Sequence, residues 1–308
     1  MAARLALGIL TLLLGTSIGT AEPVADFYRG KTVQLLIGYT VGGNYDLSAR
    51  LLARHIGRHI PGNPSVVPQN VAGAGSLRLA NLLYNVAPKD GTTFGMVGRN
   101  VSMEPLLGTY TRTFDSRRFT WIGSVSNETS VCVSWRTSNV KSWNDMLSMP
   151  FTVGGQGPGS DDDNFTNMLR NIFGAKARLV AGYPGGNEIN LLVQIALQGA
   201  SDLPTVPLVT DFAKADRDKQ ILRIILSRQQ MAWPFTAPPD LPTDRVAALR
   251  TAFDATMRDP AYLAEAKKRG LEVNPMSGAA IDKLVAELYE TPPDLVAAAK
   301  AAQTEPGK

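Results

Sequence analysis

Cysteine and histidine are almost absent from this chain of 308 residues. The one cysteine, Cys132, excludes an intrachain disulfide, and its flanking valines predict a small buried hydrophobic side chain, not a nucleophile. The two histidines, His55 and His59, are four residues apart, and no Gly-x-Ser-x-Gly nucleophile motif occurs. A histidine-based hydrolase is therefore poorly supported.

The histidine pair has a spacing that can bind zinc on one face of a helix. Arg54 and Arg58 fall on the same face and would oppose a cation. We therefore expect His55 and His59 to lie on a solvated surface. Arg50 extends this basic stripe, which we also expect to be solvated, because no aromatic side chains accompany it for stacking on nucleic-acid bases.

A strong charge of one sign and long apolar runs are also lacking. The formal net charge is +4, from 31 basic and 27 acidic residues, which is too mild and dispersed to predict nucleic-acid or membrane binding. The only marked apolar run is near the start, where Leu5–Leu14 follows the basic segment Met1–Arg4. Small residues at Gly19-Thr20-Ala21 complete the pattern of a signal peptide over residues 1–21, cleaved before Glu22. An N-terminal membrane anchor is the alternative, and the run is short for one.

What the chain does contain is a glycine loop between a strand pattern and a helix pattern. Val33–Gly38 is an apolar run of strand length, and Gly42 and Gly43 follow it. The helix pattern consists of apolar residues at roughly helical spacing, namely Leu47, Leu51, Ile56 and Ile60. Glycines allow a ligand to approach the backbone closely, and a helix start favours an anionic group. The alternative is an ordinary turn between a strand and a helix.

The same pairing of a strand with a glycine loop recurs three more times. The pairs are Ser65–Asn70 with residues 71–76, Phe151–Val153 with residues 154–160, and Ala177–Ala181 with residues 182–187. Strands that alternate with helices predict a parallel α/β sheet, whose ligands bind at the carboxyl ends of the strands. Two early and two late loops predict two lobes that face one cleft.

Further strands and helices are predicted between and after these loops. The strands are Thr93–Val97, Thr120–Val125 and Ser130–Trp135, and a short helix is predicted near Ser142–Met149. The C-terminal third is predicted to be helical, with helices at Thr243–Arg258, Pro260–Arg269, Gly278–Tyr289 and Pro293–Ala302.

Six short motifs, taken in order, carry a family resemblance. They are Val41-Gly42-Gly43-Asn44-Tyr45-Asp46 with Ala49-Arg50, Asn70–Gly75, Pro88–Thr93, Tyr183–Gly186, Leu203–Pro207 and Ala237–Pro239. In these segments the chain resembles the exported solute-binding proteins of tripartite tricarboxylate transporters, the Bordetella-uptake-gene type. The resemblance implies a two-lobed α/β fold of the type II periplasmic-binding-protein kind, with C-terminal helices. It also implies a protein without a cofactor or catalytic residues.

The resemblance further implies where the parts of the molecule lie and what they bind. Lobe 1 is expected to comprise residues 22–122 plus 232–308, and lobe 2 residues 123–231. A periplasmic monomer would bind a small organic anion of the carboxylate class and present it to membrane permease subunits. The expected ligand-binding residues are Thr40, Gly42, Gly43, Asn44, Tyr45, Asp46, Ala74, Gly75, Ser76, Gly155, Gln156, Gly157, Ser160, Tyr183, Gly185, Gly186 and Asn187.

Two departures from the family pattern bear on function. Asn44-Tyr45 stands where the family has a third loop glycine, so the Tyr45 ring is expected either at the cleft mouth or turned outward over the helix. The second departure is a short connection after Gly186, which predicts that lobe 2 lacks an internal segment. Beyond it, the apolar spacing favours a helix over Asn187–Gln198, whereas the family resemblance makes the second half a strand.

Alternative functions remain open at this point. Asp161-Asp162-Asp163 could hold a metal ion in an exported hydrolase, but Asp at a helix start is more typical of capping and of the helix dipole. The chain could also be a ligand-sensing subunit for a membrane kinase, or a degenerate member of the family that binds nothing.

Overall fold

Strands and helices alternate along the chain, as the sequence predicts. The computed structural model describes residues 24–108, 113–155, 161–181 and 189–305. The strands are β1 (Thr32–Ile37), β2 (Ser65–Asn70), β3 (Thr93–Met96), β4 (Thr120–Ser124), β5 (Ser130–Trp135), β6 (Phe151–Gly155), β7 (Ala177–Ala181), β8 (Ile189–Ile195), β9 (Pro234–Ala237) and β10 (Met276–Ser277). The helices are α1 (Val24–Tyr28), α2 (Asn44–Ile56), α3 (Leu77–Asn85), α4 (Glu104–Leu107), α5 (Trp143–Ser148), α6 (Asp161–Phe173), α7 (Asp216–Leu226), α8 (Thr243–Thr256), α9 (Pro260–Lys268), α10 (Gly278–Tyr289) and α11 (Pro293–Gln303). In these described ranges, no helix is both long and apolar enough to cross a membrane.

Lobe 1 is built on a six-stranded sheet with the order β10-β4-β9-β3-β1-β2. β1 runs parallel to β2 and β3, and Ile37 at its end is in register with Asn70 and Met96. Every residue of β3, β4 and β9 is buried, as expected for central strands covered on both faces. The carboxyl ends of β1, β2 and β3 therefore lie at one edge of the sheet, where the early glycine loops follow.

Lobe 2 has two separate pairs of strands in place of one sheet. β6 and β7 pair in parallel, and β5 and β8 pair antiparallel. Its core includes Trp143 of α5, whose ring stacks on Phe212 at 3.9 Å, together with apolar residues of α6, α7 and α11. The exact residue boundaries between the lobes remain a prediction.

The predicted helix over Asn187–Gln198 is wrong, because β8 occupies Ile189–Ile195. β8 pairs with β5 residue by residue, for example Leu191 with Val133 and Ile195 with Ser130. All residues from Leu192 to Ala196 are buried, whereas an amphipathic helix would bury only one face. Pairing with a distant strand therefore outweighs the local helical periodicity.

The outer side of the β5–β8 pair carries exposed apolar side chains. Val133 is 43% exposed, Trp135 48% and Leu191 39%. Soluble domains normally cover such a face with another element. The loss of a segment of lobe 2 would leave such an exposed face and a divided sheet. That loss remains a prediction.

The predicted solvated surface at the two histidines is wrong, because both bind carboxylates of α9 and its cap. His55 is 8% exposed and its Nε2 lies 2.9 Å from Glu265 Oε2, while His59 Nε2 lies 2.8 Å from Asp259 Oδ2. Arg58 donates to His55 Nδ1.

The basic side chains of α2 join the same interface. Arg54 pairs with Glu265 at 2.6 Å, and Arg58 pairs with Asp259. Hydrogen bonds to the Glu265 carboxylate, first from His55 and then from Arg54 and Arg269, lower its pKa to about 2 from the usual 4.5, against an opposite effect of burial. The stripe expected to be solvated therefore holds α2 against α9.

Glu265→Gln is expected to lower the melting temperature at pH 7 by about 2–4 °C, the shift that about 1 kcal/mol produces in a protein of this size. A carboxyl group whose pKa is lower in the folded than in the unfolded protein stabilises the fold. For Glu265 this contribution is complete above the unfolded pKa of about 4.5, and it is lost as pH falls from about 4.5 to about 2. Calorimetric melting of both proteins at pH 7 and pH 3 measures the effect. The exposed Glu287→Gln is the control, and an equal shift in both variants would contradict the account.

Candidate functional site

Three loops of lobe 1 meet beyond the carboxyl ends of β1, β2 and β3. Asn70 Nδ2 donates to Tyr39 O at 2.9 Å, which joins the first two loops. Asn100, after β3, donates through Nδ2 to Gly75 O at 3.3 Å, which joins the third. The parallel register thus gathers the two early glycine motifs at one place.

Asp46 fixes the shape of the first loop. Its carboxylate accepts from the backbone N–H of Gly42 at 3.0 Å, from Asn70 Nδ2 at 2.8 Å and from Arg50 Nε at 2.8 Å. Burial alone would raise the pKa of this carboxyl, and these hydrogen bonds outweigh burial and hold the pKa below its usual value. Asp46 is 2% exposed, so we expect it to position the loop.

The first loop exposes its backbone between Thr40 and Asn44. Gly42 has φ +91°, a conformation that favours glycine. A side-chain carbon added at Gly42 or Gly43 would meet nothing within 4 Å. Gly43 is the N-cap of α2 and has no side chain to cap it. A ligand can therefore reach both the backbone and the positive end of α2.

The second loop has an unusual backbone. Gly73, Ala74, Gly75 and Ser76 all have positive φ, at +142°, +48°, +58° and +75°. The Ser76 hydroxyl is fully buried and has no hydrogen-bond partner among the described residues. It lies against Gly38, where a side-chain carbon would lie 2.8 Å from Ser76 Cβ. Backbone segments with strained conformations of this kind concentrate at binding sites.

Tyr45 is directed inward, so the outward alternative is wrong. Its hydroxyl donates to Ala232 O at 3.0 Å, and its ring stacks on Tyr39 at 4.1 Å and lies 4.6 Å from Trp233. Ala232 and Trp233 lie where the chain returns from lobe 2 to β9. Burial raises the pKa of the Tyr45 hydroxyl well above its usual value. The residue therefore ties the first loop to the crossing between the lobes.

Tyr45→Phe is expected to lower the melting temperature by about 2–4 °C, because it removes one hydrogen bond of about 1 kcal/mol. Tyr45→Gly is expected to lower it by more, because it also removes both ring contacts and weakens α2. Calorimetric melting of the two variants and the wild type checks the order. An unchanged melting temperature for Tyr45→Gly would contradict the inward placement.

Four charged side chains form a group between the lobes, namely Arg99, Glu128, Asp161 and Arg228. Arg99, at the centre of this group, lies in none of the sequence motifs. Arg99, which follows β3, donates to the carboxylates of Glu128 and Asp161. Arg228 lies with its Nε 3.5 Å from Asp161 Oδ1. Arg228 is 4% exposed. The one signal for Arg99 in the sequence is its position just beyond a strand end, which many residues share.

The later loops are described only at their edges. Gly155 ends β6, and Asp161 begins α6. Gln156, Gly157, Ser160, Tyr183, Gly185, Gly186 and Asn187 lie outside the described residues, so the placement of the predicted ligand contacts in lobe 2 remains a prediction. In the described ranges, no group of three or more His, Cys, Asp and Glu side chains is placed to hold a metal ion. The arginines beside Asp161 would repel a cation there.

Comparison of the sequence with known proteins gives a partial match. The UPF0065 protein in the gbd 5' region of Cupriavidus necator is 35% identical to this chain over 103 residues. This match covers 33% of the chain and 31% of that relative, so it spans about a third of each. No protein-family model matches the chain.

Solved structures match over nearly their whole length. A TctC solute-binding protein from Polaromonas gives a TM-score of 0.65 at 14% identity, covering 89% of this chain and 98% of that chain. The periplasmic binding protein BugD gives 0.67 at 18% identity, covering 90% and 99%. MatC from Rhodopseudomonas palustris, solved with bound malate, gives 0.64 at 17% identity, covering 86% and 99%.

The chain thus has the two-lobed α/β fold of the periplasmic solute-binding proteins of tripartite tricarboxylate transporters. The predicted fold class and the resemblance read from the six motifs are confirmed.

Proposed function

We propose that this protein is an extracytoplasmic solute-binding protein that captures a small carboxylate between its two lobes and delivers it to a membrane permease. It would act as a periplasmic monomer and perform no covalent chemistry. The signal-peptide pattern of residues 1–21 and the periplasmic proteins that share the fold support this location. MatC, which binds malate, supports the class of ligand.

The observation that carries the proposal is the open backbone at the edge of the lobe 1 sheet. Gly42 and Gly43 leave space above the start of α2, and the strained residues 73–76 lie beside them. N–H groups at a helix start bind anions without needing a positive side chain. A carboxylate at this edge would also lie next to the crossing where a hinge between lobes can close.

Titration calorimetry with a panel of dicarboxylates, tricarboxylates, aromatic acids and amino acids tests the proposal. We expect at least one acid to bind with a dissociation constant at or below the micromolar range. No binding across the panel by protein shown to be folded would contradict the proposal and favour a degenerate member.

A matched pair of variants locates the anion at the first loop. Gly43 has φ −79° and ψ 169°, which suit an N-cap Asp or Asn equally. Gly43→Asp is expected to weaken acid binding at least about tenfold, because it places a negative charge at the proposed site. Gly43→Asn has the same shape without the charge, so it is expected to weaken binding less than Gly43→Asp, through loss of space and of free N–H groups alone. Equal affinities of the two variants would place the anion elsewhere.

A further inference from the structure

Asp161, the first residue of α6, contacts arginines from two parts of the fold. Arg99 belongs to the 3-10 turn Arg99–Ser102, which follows β3 of lobe 1. Arg228 belongs to the 3-10 turn Ser227–Met231, which follows α7. One oxygen of Asp161 accepts from Arg99, and the other lies 3.5 Å from Arg228 Nε. A single carboxylate of lobe 2 therefore connects to lobe 1.

The charges of this group balance in a largely buried setting. The side chains of Arg99 and Arg228 are 15% and 5% exposed, and those of Asp161 and Glu128 are 22% and 39% exposed. The two positive and two negative charges of the group balance, and Glu104 adds a further negative charge that acts on Arg228. An additional carboxylate at Arg99 would be repelled by the two carboxylates already there, unless one of them moved away.

One nitrogen atom of this charged group lacks a hydrogen bond within the described part of the chain. Arg228 Nε is buried and has no hydrogen-bond partner among the described residues. The rest of its guanidinium is engaged, because Nη2 donates to Gln303 Oε1 at 3.3 Å and the Cζ atom lies 5.1 Å from the Phe165 ring. The carboxylate oxygen nearest to this nitrogen, Asp161 Oδ1, is 3.5 Å away, which is too long for a good hydrogen bond. The group can therefore accommodate a better-placed carboxylate than Asp161 supplies.

We propose that Asp161 is an internal stand-in for the carboxylate of the ligand. Without ligand it bridges Arg99 of lobe 1 to Arg228 and holds the lobes together. When a ligand binds, the ligand's carboxylate replaces Asp161 at Arg99, where a guanidinium can hold both oxygens. This inference rests on the proposed function, and it adds Arg99 as the anchor for a second carboxylate of a dicarboxylate ligand.

Asp161→Asn tests the exchange, because it keeps the shape of the side chain and removes the competing charge. We expect about tenfold tighter binding of malate and adipate, measured by calorimetry, and no change for the neutral adipamide. Asp216→Asn is the matched control, because Asp216 is also the first residue of a lobe 2 helix but its side chain is 93% exposed. Arg99→Gln and Arg99→Lys are both expected to lose acid binding. Weaker or equal acid binding by Asp161→Asn, or full binding by Arg99→Gln, would overturn the exchange.

A distance between the lobes tests the bridge without any ligand. Nitroxide labels at K141C and K268C report this distance by pulsed electron spin resonance, since both lysines are exposed and lie on different lobes. Burial raises the pKa of the native Cys132 thiol to about 11, so labelling favours the introduced cysteines.

The expected result is one short distance in the ligand-free wild type and in Asp216→Asn, and a longer, broader distribution in Asp161→Asn. Identical distributions in all three proteins would overturn the bridge, even if acids bind. If no acid binds to any protein, the proposed function fails and the exchange with it. The distance measurement separates that result from a failure of the bridge alone.

Discussion

Gly38→Ala is expected to destabilise the protein by about 1–3 kcal/mol, the usual effect of overpacking a core. The added carbon would lie 2.8 Å from Ser76 Cβ and closer still to the Ser76 hydroxyl, and 3.4 Å from Leu79 Cδ2. Ser76 is fully buried and cannot move outward without displacing the loop of residues 73–76. The melting temperature should fall by about 2–12 °C, and acid binding should weaken because the loop moves.

Two further variants show that the contact with Ser76 is the cause. Gly43→Ala is the control, because a carbon there meets nothing within 4 Å. Adding Ser76→Gly to Gly38→Ala removes the contact and suits the φ of +75°, so the double variant should regain most of the lost stability. Equal melting temperatures for Gly38→Ala and Gly43→Ala, measured by calorimetry, would contradict this packing.

Gln194→Leu is expected to cost about 2–4 kcal/mol, because it leaves several buried groups without partners. Gln194 is 3% exposed in β8. Its Nε2 donates to Leu203 O at 3.1 Å and to Val206 O at 2.6 Å, and its Oε1 accepts from Ala200 N at 2.8 Å. One side chain thus holds residues 200–206 against the strand.

Melting and hydrogen exchange of the amides in residues 200–206 measure the effect of Gln194→Leu. We expect a fall of about 4–16 °C and faster exchange in that segment. Gln198→Leu is the control, because Gln198 is exposed and lies four residues away. Slow exchange retained in Gln194→Leu would show that the segment is held by other contacts.

The sequence predicts β1 to β4 of the lobe 1 sheet because they are short strand-like runs bounded by glycine or proline turns. It does not predict β9 or β10, and the predicted parallel sheet is wrong in part, because β9 runs antiparallel to β3 and β4. Each predicted strand from Val33 to Trp135 is present within one or two residues of its expected bounds. The helices of the C-terminal third follow their caps, as at Asp259, whose side chain accepts from Ala261 N. These elements are set by local signals, so one sequence suffices to place them.

Features that depend on distant residues could not be read from the sequence. β8 has helical spacing but forms a strand, because β5 supplies a partner and Gln194 bonds to a later segment. His55 looks solvated next to Arg54, yet the Glu265 carboxylate, 210 residues beyond His55 along the chain, contacts both side chains. Arg99 belongs to no motif, and its partner Asp161 is 62 residues away.

A crystal structure of the protein grown with the tightest-binding acid of the panel tests the central claim most directly. The account predicts one carboxylate of the acid between the two lobes, in contact with the backbone at Gly42, Gly43 and residues 73–76. It also predicts that Arg99 binds a carboxylate of the acid and that Asp161 has moved away from Arg99. An acid bound outside the cleft, or an empty cleft at saturating acid, would contradict the account.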